Sequence, residues 1–264
     1  IKLEQNYRSH GHILDAANAL IGHNRRRLGK NLWTSASQGE PLRVYEAATD
    51  IDEAGFIVEE VKALHSEGVG LSEMALLYRS NAQSRVLEHA LFSAGVAYRV
   101  YGGLRFFERQ EIKHALAYLR LLASDGDDGA ITRVINFPAR GIGNRSLEQL
   151  QDAAKANSTS LWQAAVEKAG DVRPHAAPAK GVAAFVALIE SMRTATASLP
   201  LPEIIEHVIE HSGLKQYYQN ERDGTDRLEN LGELVNAASA FVSDEQQEDT
   251  SLTAFLAHAA LEAG

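Results

Sequence analysis

The stretch Met74-Ala75-Leu76-Leu77-Tyr78 decides the fold class of the first part of the chain. A continuous apolar run of this length is typical of a buried parallel strand. Residues 41–45 and 97–101 have the composition of two further short strands, and helical patterns separate the three. This βαβαβ order predicts a short parallel sheet flanked by helices.

Helix start signals lie between the predicted strands. Asp50 is followed three residues later by Glu53, and Ser80 by Gln83, which are two capping-box patterns. After Gly103 only helical patterns follow, at about 109–123, 127–137, 145–156, 160–169, 179–197, 202–212, 226–243 and 251–262, with a linker at Pro174–Pro178. We therefore predict a boundary near Gly102–Gly103, between an α/β domain (1–101) and an all-α domain (102–264), in a chain that is mostly helical.

Composition excludes several classes of protein. With 264 residues, 45% hydrophobic and 23% charged, the chain is long enough for one large or two modest folded domains. No apolar run approaches the ~20 residues of a membrane helix, and the absence of cysteine excludes disulfides and thiolate metal sites. Its first residues show neither an initiator Met nor a signal-peptide pattern, so we expect a piece of a longer cytoplasmic protein.

The net charge of −9 is unevenly distributed. Residues 1–45 carry 7 Lys/Arg against 3 acids and residues 99–145 carry 8 against 5, whereas residues 201–264 carry 3 against 13. Arginine-rich stretches on an acidic chain are compatible with binding of a phosphate backbone, and equally with a solvated mixed surface.

Nucleotide and metal motifs are incomplete. The phosphate-loop pattern fails at Gly29-Lys30, because Asn24 and Asn31 occupy positions that require Gly and Ser or Thr. This chain alone is therefore not expected to bind and activate ATP. His207-Val208-Ile209-Glu210-His211 matches the H-x-x-E-H zinc pattern, but its neighbours form an ordinary amphipathic helix, so we expect no metal site.

Two turns carry basic residues where phosphate can bind. Arg79-Ser80-Asn81 follows a predicted strand as a helix begins, so Arg79, Asn81 and Arg85 could follow a nucleic-acid backbone. The alternative is a simple helix cap with solvated arginines.

The second turn is Arg140-Gly141-Ile142-Gly143-Asn144-Arg145, in which a G-x-G turn opens a helix. Its free N–H groups could bind duplex phosphates, with Arg140 and Arg145 assisting. It could also be a plain glycine-rich connection between two helices. In Arg105–Gln110 the two phenylalanines could stack on bases, but a core role is favoured.

The opening LEQNYRS (residues 3–9) resembles motif IV of superfamily 1A DNA helicases of the UvrD, PcrA and Rep type. Further blocks in family order are NALI (18–21), LLYRSNAQSR (76–85), YGGLRFFERQEIK (101–113), RGIG (140–143) and FLAHAALE (255–262).

This resemblance implies part of the second RecA-like motor lobe (2A, 1–101) and its helical 2B insertion (102–264). The parent would be an ATP-dependent helicase that moves 3′ to 5′ on single-stranded DNA in repair or replication. Tyr7 would contact adenine, Arg8 the γ-phosphate, Arg79 and Asn81 single-stranded DNA, and the Gly141-Ile142-Gly143 turn duplex DNA. ATP and Mg²⁺ would bind the intact parent, whose other lobe supplies the phosphate loop and acids.

Two other interpretations stay open. The chain could be a non-catalytic module that binds duplex DNA or protein partners, including DNA-repair proteins, or part of a RecB-type helicase-nuclease. No membrane partner is expected.

Overall fold

A computed structural model describes residues 3–24, 29–101, 103–170, 177–244 and 247–263, with residues 177–179 described in backbone only. These residues form twelve α-helices: α1 (Gly11–Gly22), α2 (Asp50–Ser66), α3 (Ser84–Ser93), α4 (Gln110–Ala123), α5 (Asp128–Val134), α6 (Asn144–Asn157), α7 (Leu161–Gly170), α8 (Ala177–Thr196), α9 (Leu201–His211), α10 (Leu214–Gln219), α11 (Gly224–Ser243) and α12 (Leu252–Ala263). Short 3-10 turns cover Leu71–Glu73, Asn81–Gln83 and Phe106–Glu108. None of the described helices is both long and apolar enough to cross a membrane.

The prediction of a mostly helical chain is confirmed, and each helix expected after Gly103 lies within a few residues of its observed bounds. Helix α1 and the short helix α10 have no counterpart among the predictions. Two predicted features, the Gly102 side of the domain boundary and most of the Pro174–Pro178 linker, lie outside the described residues.

The predicted parallel sheet is not present in the described residues, where Gln5 and Trp33 form an isolated parallel bridge and no strand occurs. Segments 41–45, 74–78 and 97–101 lie outside helices and strands. An extended segment becomes a strand only when a neighbour pairs with its N–H and C=O groups. The three segments have the apolar composition of strands, but no other segment of the described chain pairs with them. Val44 and Leu77 are accordingly 95% and 96% exposed.

Helix capping follows the local sequence. The predicted Ser80–Gln83 box is present: Ser80 Oγ accepts the Ala82 N–H at 3.4 Å, and Gln83 Oε1 accepts the Ser80 N–H at 3.0 Å. At α2 the cap lies one residue earlier than expected. Thr49 Oγ1 accepts the Asp52 N–H at 3.1 Å, and Asp50 is the first helical residue.

Ile1–Glu53 is one of two compact units of the chain. Within it, Asn18 on α1 makes two bonds to the backbone of Leu32: Nδ2 donates to the carbonyl at 2.7 Å, and Oδ1 accepts the N–H at 3.0 Å. The next residue, Trp33, donates its N–H to Glu4 O at 3.0 Å and accepts the Asn6 N–H at 2.7 Å. These bonds fix the backbone immediately before Tyr7.

Ala54–Gly264 is the second compact unit, and α4 lies at its centre. Helices α5, α8, α9, α11 and α12 all contact α4. Ile112, Ala115 and Leu119 on α4 are fully buried. Burying a large aliphatic side chain stabilises a fold by about 1.5–3 kcal/mol. The helical core is therefore built around α4.

Candidate nucleotide and nucleic-acid contacts

Tyr7 and Arg8 lie at the surface of the first unit. The Asn6 side chain accepts the backbone N–H groups of Arg8 and Ser9, each at 2.8 Å, which fixes a tight turn. Tyr7 is 85% exposed, and its hydroxyl donates to Gln5 Oε1 at 2.8 Å. Arg8 is exposed as well, and its guanidinium has no partner in the described part of the chain. An aromatic ring and a guanidinium are thus both accessible to a ligand.

Hydrogen bonds from Gln83 and Arg109 fix the backbone of the loop that carries Arg79 and Asn81. Gln83 Oε1 accepts the N–H groups of both Arg79 (2.9 Å) and Ser80 (3.0 Å). Arg109 Nη1 donates to the Asn81 carbonyl at 2.9 Å. The backbone is therefore fixed while the Arg79 and Asn81 side chains stay exposed.

Arg85 does not lie on the same surface. It is buried to 8% exposure on α3, and its Nε donates to Glu233 Oε2 on α11 at 2.9 Å. Its guanidinium therefore joins two helices, so the structure places this predicted DNA contact among the residues that hold the fold together. No local sequence pattern indicates this pair, because the two residues are 148 positions apart.

The glycine turn before α6 combines a buried and an exposed side. Asn136 Oδ1 accepts the N–H groups of Arg140 (2.8 Å) and Ile142 (3.1 Å), and Ile142 is 3% exposed. Gly141 has φ +74°, which favours glycine. Gly143, the N-cap of α6, has φ −80° and open space around it. Both glycines and the nearby Arg145 side chain are exposed.

Arg140 supports this turn from inside. Its Nη1 donates to the carbonyls of Val134 (3.2 Å) and Pro138 (3.1 Å), and its Nη2 donates to the Ser212 carbonyl at 2.8 Å. The guanidinium also lies over the rings of Tyr118 and Phe185. With these donors engaged, Arg140 positions the turn, whereas the Arg145 side chain is exposed.

Among the residues that the structure describes, the H-x-x-E-H helix α9 does not bring three metal ligands together. The rings of His207 and His211 stack with centroids 3.9 Å apart, and His211 Nδ1 lies 2.9 Å from the His207 carbonyl. Partial burial and the neighbouring His211 lower the pKa of His207. Glu210, the acid of the pattern, pairs with Lys215 instead.

The sequence patterns do not predict the buried polar cluster behind Asn81. Arg109, 8% exposed, donates to Ser84 Oγ at 2.6 Å and to Asn230 Oδ1 at 2.9 Å, and lies 3.8 Å from Glu88 Oε1. The only signal was the run Arg105–Gln110, in which the expected core role of Phe106 and Phe107 is confirmed by exposures of 1% and 5%.

A model of the UvrD-like helicase C-terminal domain family matches residues 1–264. The chain belongs to this family. The UvrD-like chain is 49% identical over its whole length to DNA helicase II of Escherichia coli K12 and 48% identical to DNA helicase II of Haemophilus influenzae, covering 37% of each protein. It is 38% identical over 99% of its length to the ATP-dependent DNA helicase PcrA of Bacillus subtilis, of which it covers 35%. The chain thus spans little more than a third of these relatives.

Proposed function

We propose that this chain is part of an ATP-dependent DNA helicase that moves 3′ to 5′ along single-stranded DNA in repair or replication. The observation that carries the proposal is the family match over every residue of the chain, together with relatives named as DNA helicases. Residues 1–101 would belong to the second motor lobe and residues 102–264 to its inserted 2B subdomain. The exposed apolar side chains of Val44 and Leu77 favour cover by the rest of that lobe.

Tyr7 and Arg8 would serve the nucleotide in the intact helicase. The exposed Tyr7 ring suits stacking on adenine, and the unpaired Arg8 guanidinium suits a γ-phosphate. A planar guanidinium can donate two parallel hydrogen bonds to phosphate oxygens and neutralise the charge that develops during phosphoryl transfer. ATP binding also requires Mg²⁺ and a phosphate loop, which the remainder of the protein would supply, since this chain has no such loop.

Arg79 and Asn81 would contact single-stranded DNA. Asn81 lies at a surface cavity of about 350 Å³ that Tyr78 and Tyr101 also line. Aromatic rings of this kind can stack on bases. The cavity is lined by three acids (Glu111, Asp223 and Asp226) and by two arginines (Arg109 and Arg227), so it has no excess of positive charge to attract a phosphate. A base would enter it, while Arg79 would meet the backbone.

The glycine turn would hold the duplex ahead of the motor. Exposed N–H groups at Gly141 and Gly143 and the charge of Arg145 are the donors that bind phosphates without reading sequence. Rotation near Gly102–Gly103 would reorient the insertion; Gly102 lies outside the described residues. Arg85 and Arg140 would act through the fold, since both are engaged internally.

The decisive experiment substitutes Arg8 in the intact helicase and measures DNA-stimulated ATP hydrolysis. Arg8→Ala should lower kcat by about 10³-fold or more, with little change in affinity for single-stranded DNA. Arg8→Lys keeps the charge but loses the planar fork, so it should recover only part of the activity. Arg222→Ala, at another exposed arginine, is the control.

The isolated chain tests the division of labour. It should hydrolyse no ATP, because the phosphate loop and the Mg²⁺-binding acids lie elsewhere. Turnover by the isolated chain, or near-normal turnover in Arg8→Ala, would contradict the proposal. Salt-dependent duplex binding without any ATPase activity in the intact protein would instead favour a non-catalytic DNA-binding module.

A further inference from the structure

Two histidines and one glutamate from distant parts of the sequence meet between α3 and α12. His89 Nδ1 and His258 Nε2 each lie 2.7 Å from Glu262 Oε1, and the three ligand atoms lie within 4.8 Å of one another. His258 and Glu262 share one face of α12 because they are four residues apart. His89 approaches from α3. The cluster involves no residue assigned above to nucleotide or DNA.

We propose that His89, His258 and Glu262 form a site for a divalent transition-metal ion of the Zn²⁺ type. Zn²⁺ binds imidazole nitrogen at about 2.0–2.1 Å and carboxylate oxygen at about 2.0–2.2 Å in tetrahedral geometry. Ligand atoms around such an ion are therefore about 3.3 Å apart. The two N···O distances of 2.7 Å would each have to lengthen by about 0.6 Å to admit the ion.

The burial of the three side chains fits this site. The Glu262 side chain is 7% exposed, so the anionic ligand is fixed within the fold. The imidazoles of His89 and His258 are 43% and 30% exposed, which leaves them room to rotate and gives an ion an entry path. Three protein ligands and an open side are also the arrangement in which water completes the coordination.

The ligand types also suit such an ion. Both imidazoles converge on one oxygen, Oε1, of the Glu262 carboxylate, which is the anionic group of the three. Imidazole nitrogen and carboxylate oxygen are ligands that Zn²⁺ takes in proteins.

A bound ion would link α3 to α12. In the domain organisation proposed above, α3 belongs to the motor lobe and α12 to the insertion. The ion would then restrict the rotation of the insertion, a consequence that rests on the proposed function. The metal site itself does not, because ion binding can be measured on this chain without ATP or DNA.

The test uses the 264-residue chain, free of histidine tags and treated with EDTA, and titrates it with Zn²⁺ and with Co²⁺. We expect one Zn²⁺ per chain, a Co²⁺ ligand-field absorption spectrum of tetrahedral type, and a higher midpoint of thermal unfolding with Zn²⁺. Mg²⁺, a hard ion that prefers all-oxygen sites, should not compete. His89→Ala and Glu262→Gln should each weaken Zn²⁺ binding at least tenfold. Glu262→Gln keeps a hydrogen-bond acceptor for both histidines, so it separates metal binding from simple packing.

The stacked pair on α9 provides a matched control. His211→Ala removes one of the two histidines of the H-x-x-E-H pattern. It should leave the Zn²⁺ stoichiometry and the Co²⁺ spectrum unchanged. Circular dichroism would confirm that each variant keeps its helices. The proposal is overturned if the wild-type chain binds no stoichiometric Zn²⁺. It is also overturned if binding survives both His89→Ala and Glu262→Gln, or is lost in His211→Ala.

Discussion

Arg109 Nη1 donates a 2.9 Å hydrogen bond to Asn230 Oδ1, which ties the N-terminus of α4 to the middle of α11. Asn230 Nδ2 in turn donates to Glu111 Oε1 at 2.6 Å, and Glu111 pairs with Arg227. Arg109, Asn230 and Glu111 are all buried. Since buried charges are tolerated only when paired and hydrogen-bonded, this network constrains how α4 and α11 can pack.

Removing the Arg109 guanidinium should therefore destabilise the fold. Arg109→Ala leaves Glu88 and Asn230 without their buried partner, and we expect the free energy of unfolding to fall by about 3–5 kcal/mol. Urea denaturation followed by circular dichroism measures this change. Arg99→Ala, at an exposed arginine, should change it by less than about 0.5 kcal/mol. Equal effects of the two substitutions would contradict the structural role of Arg109.

Arg79 and Arg85 should separate DNA binding from stability. In the intact protein, Arg79→Ala should weaken binding of single-stranded DNA and reduce the slope of log K against log [salt] by about 0.7, the value for one phosphate contact. Its unfolding midpoint should not change, because its side chain is exposed.

Arg85→Ala should behave in the opposite way. It breaks the ion pair with Glu233, so we expect a loss of about 3 kcal/mol in unfolding free energy. The salt slope of DNA binding, measured where the variant is still folded, should equal that of the wild type. A smaller salt slope in Arg85→Ala than in the wild type would show that Arg85 contacts DNA after all.

Gly143→Ala offers a direct test of the duplex contact. The backbone angles of Gly143 are ones that any residue can adopt, and a Cβ there would lie in open space. At Gly141, by contrast, a side chain would be strained by the positive φ. Loss of a glycine N-cap should cost no more than about 1 kcal/mol. If a phosphate approaches this N–H, the added methyl group should weaken duplex binding about tenfold.

Gly232→Ala is the matched control for that test, because it also adds a methyl group in open space, but on α11. Duplex affinity should be unchanged in this variant. Fluorescence anisotropy with a labelled duplex measures the affinity of both variants, Gly143→Ala and Gly232→Ala. An unchanged affinity in Gly143→Ala would leave the turn as a plain helix connection.

Local patterns predicted the elements that local physics determines. Apolar periodicity located the helices after Gly103, and the Ser80–Gln83 box is present because its four residues interact with one another. Phe106 and Phe107 lie in the core, as their size and apolar character predict.

Features that depend on distant residues could not be predicted in this way. Arg85 was expected to be a phosphate ligand, but its partner Glu233 lies 148 positions later. Likewise, His89 and Glu262 are 173 positions apart, whereas the local H-x-x-E-H pattern brings no third ligand near within the described part of the chain. The prediction of a sheet was wrong for a related reason. A strand forms only when another segment pairs with it, and the composition of one segment does not show whether such a partner is present.

The last prediction concerns acid stability and His114. This side chain is buried on α4, with Nδ1 2.8 Å from the Tyr218 hydroxyl and its ring stacked on Phe137 at 3.7 Å. Burial, assisted by the positive charges of Arg133 and Arg227, lowers the pKa of His114 to about 4 from its usual 6.5.

The folded protein therefore keeps His114 neutral where the unfolded chain takes up a proton. The contribution of this residue to stability is fully present above pH 6.5 and is lost as the pH falls towards 4. Between pH 7 and pH 5 we expect a loss of about 1 kcal/mol from this group. Its sign is opposite to that of His258, whose raised pKa stabilises the fold as the pH falls.

His114→Asn isolates that contribution, because the amide can occupy the Nδ1 position and bond Tyr218 without titrating. Urea unfolding at pH 7 and at pH 5 gives the difference in stability between wild type and variant. That difference should shrink by about 1 kcal/mol at the lower pH, because only the wild type has a neutral histidine to protonate on unfolding. A difference that is the same at both pH values would show that His114 keeps an ordinary pKa in the folded protein.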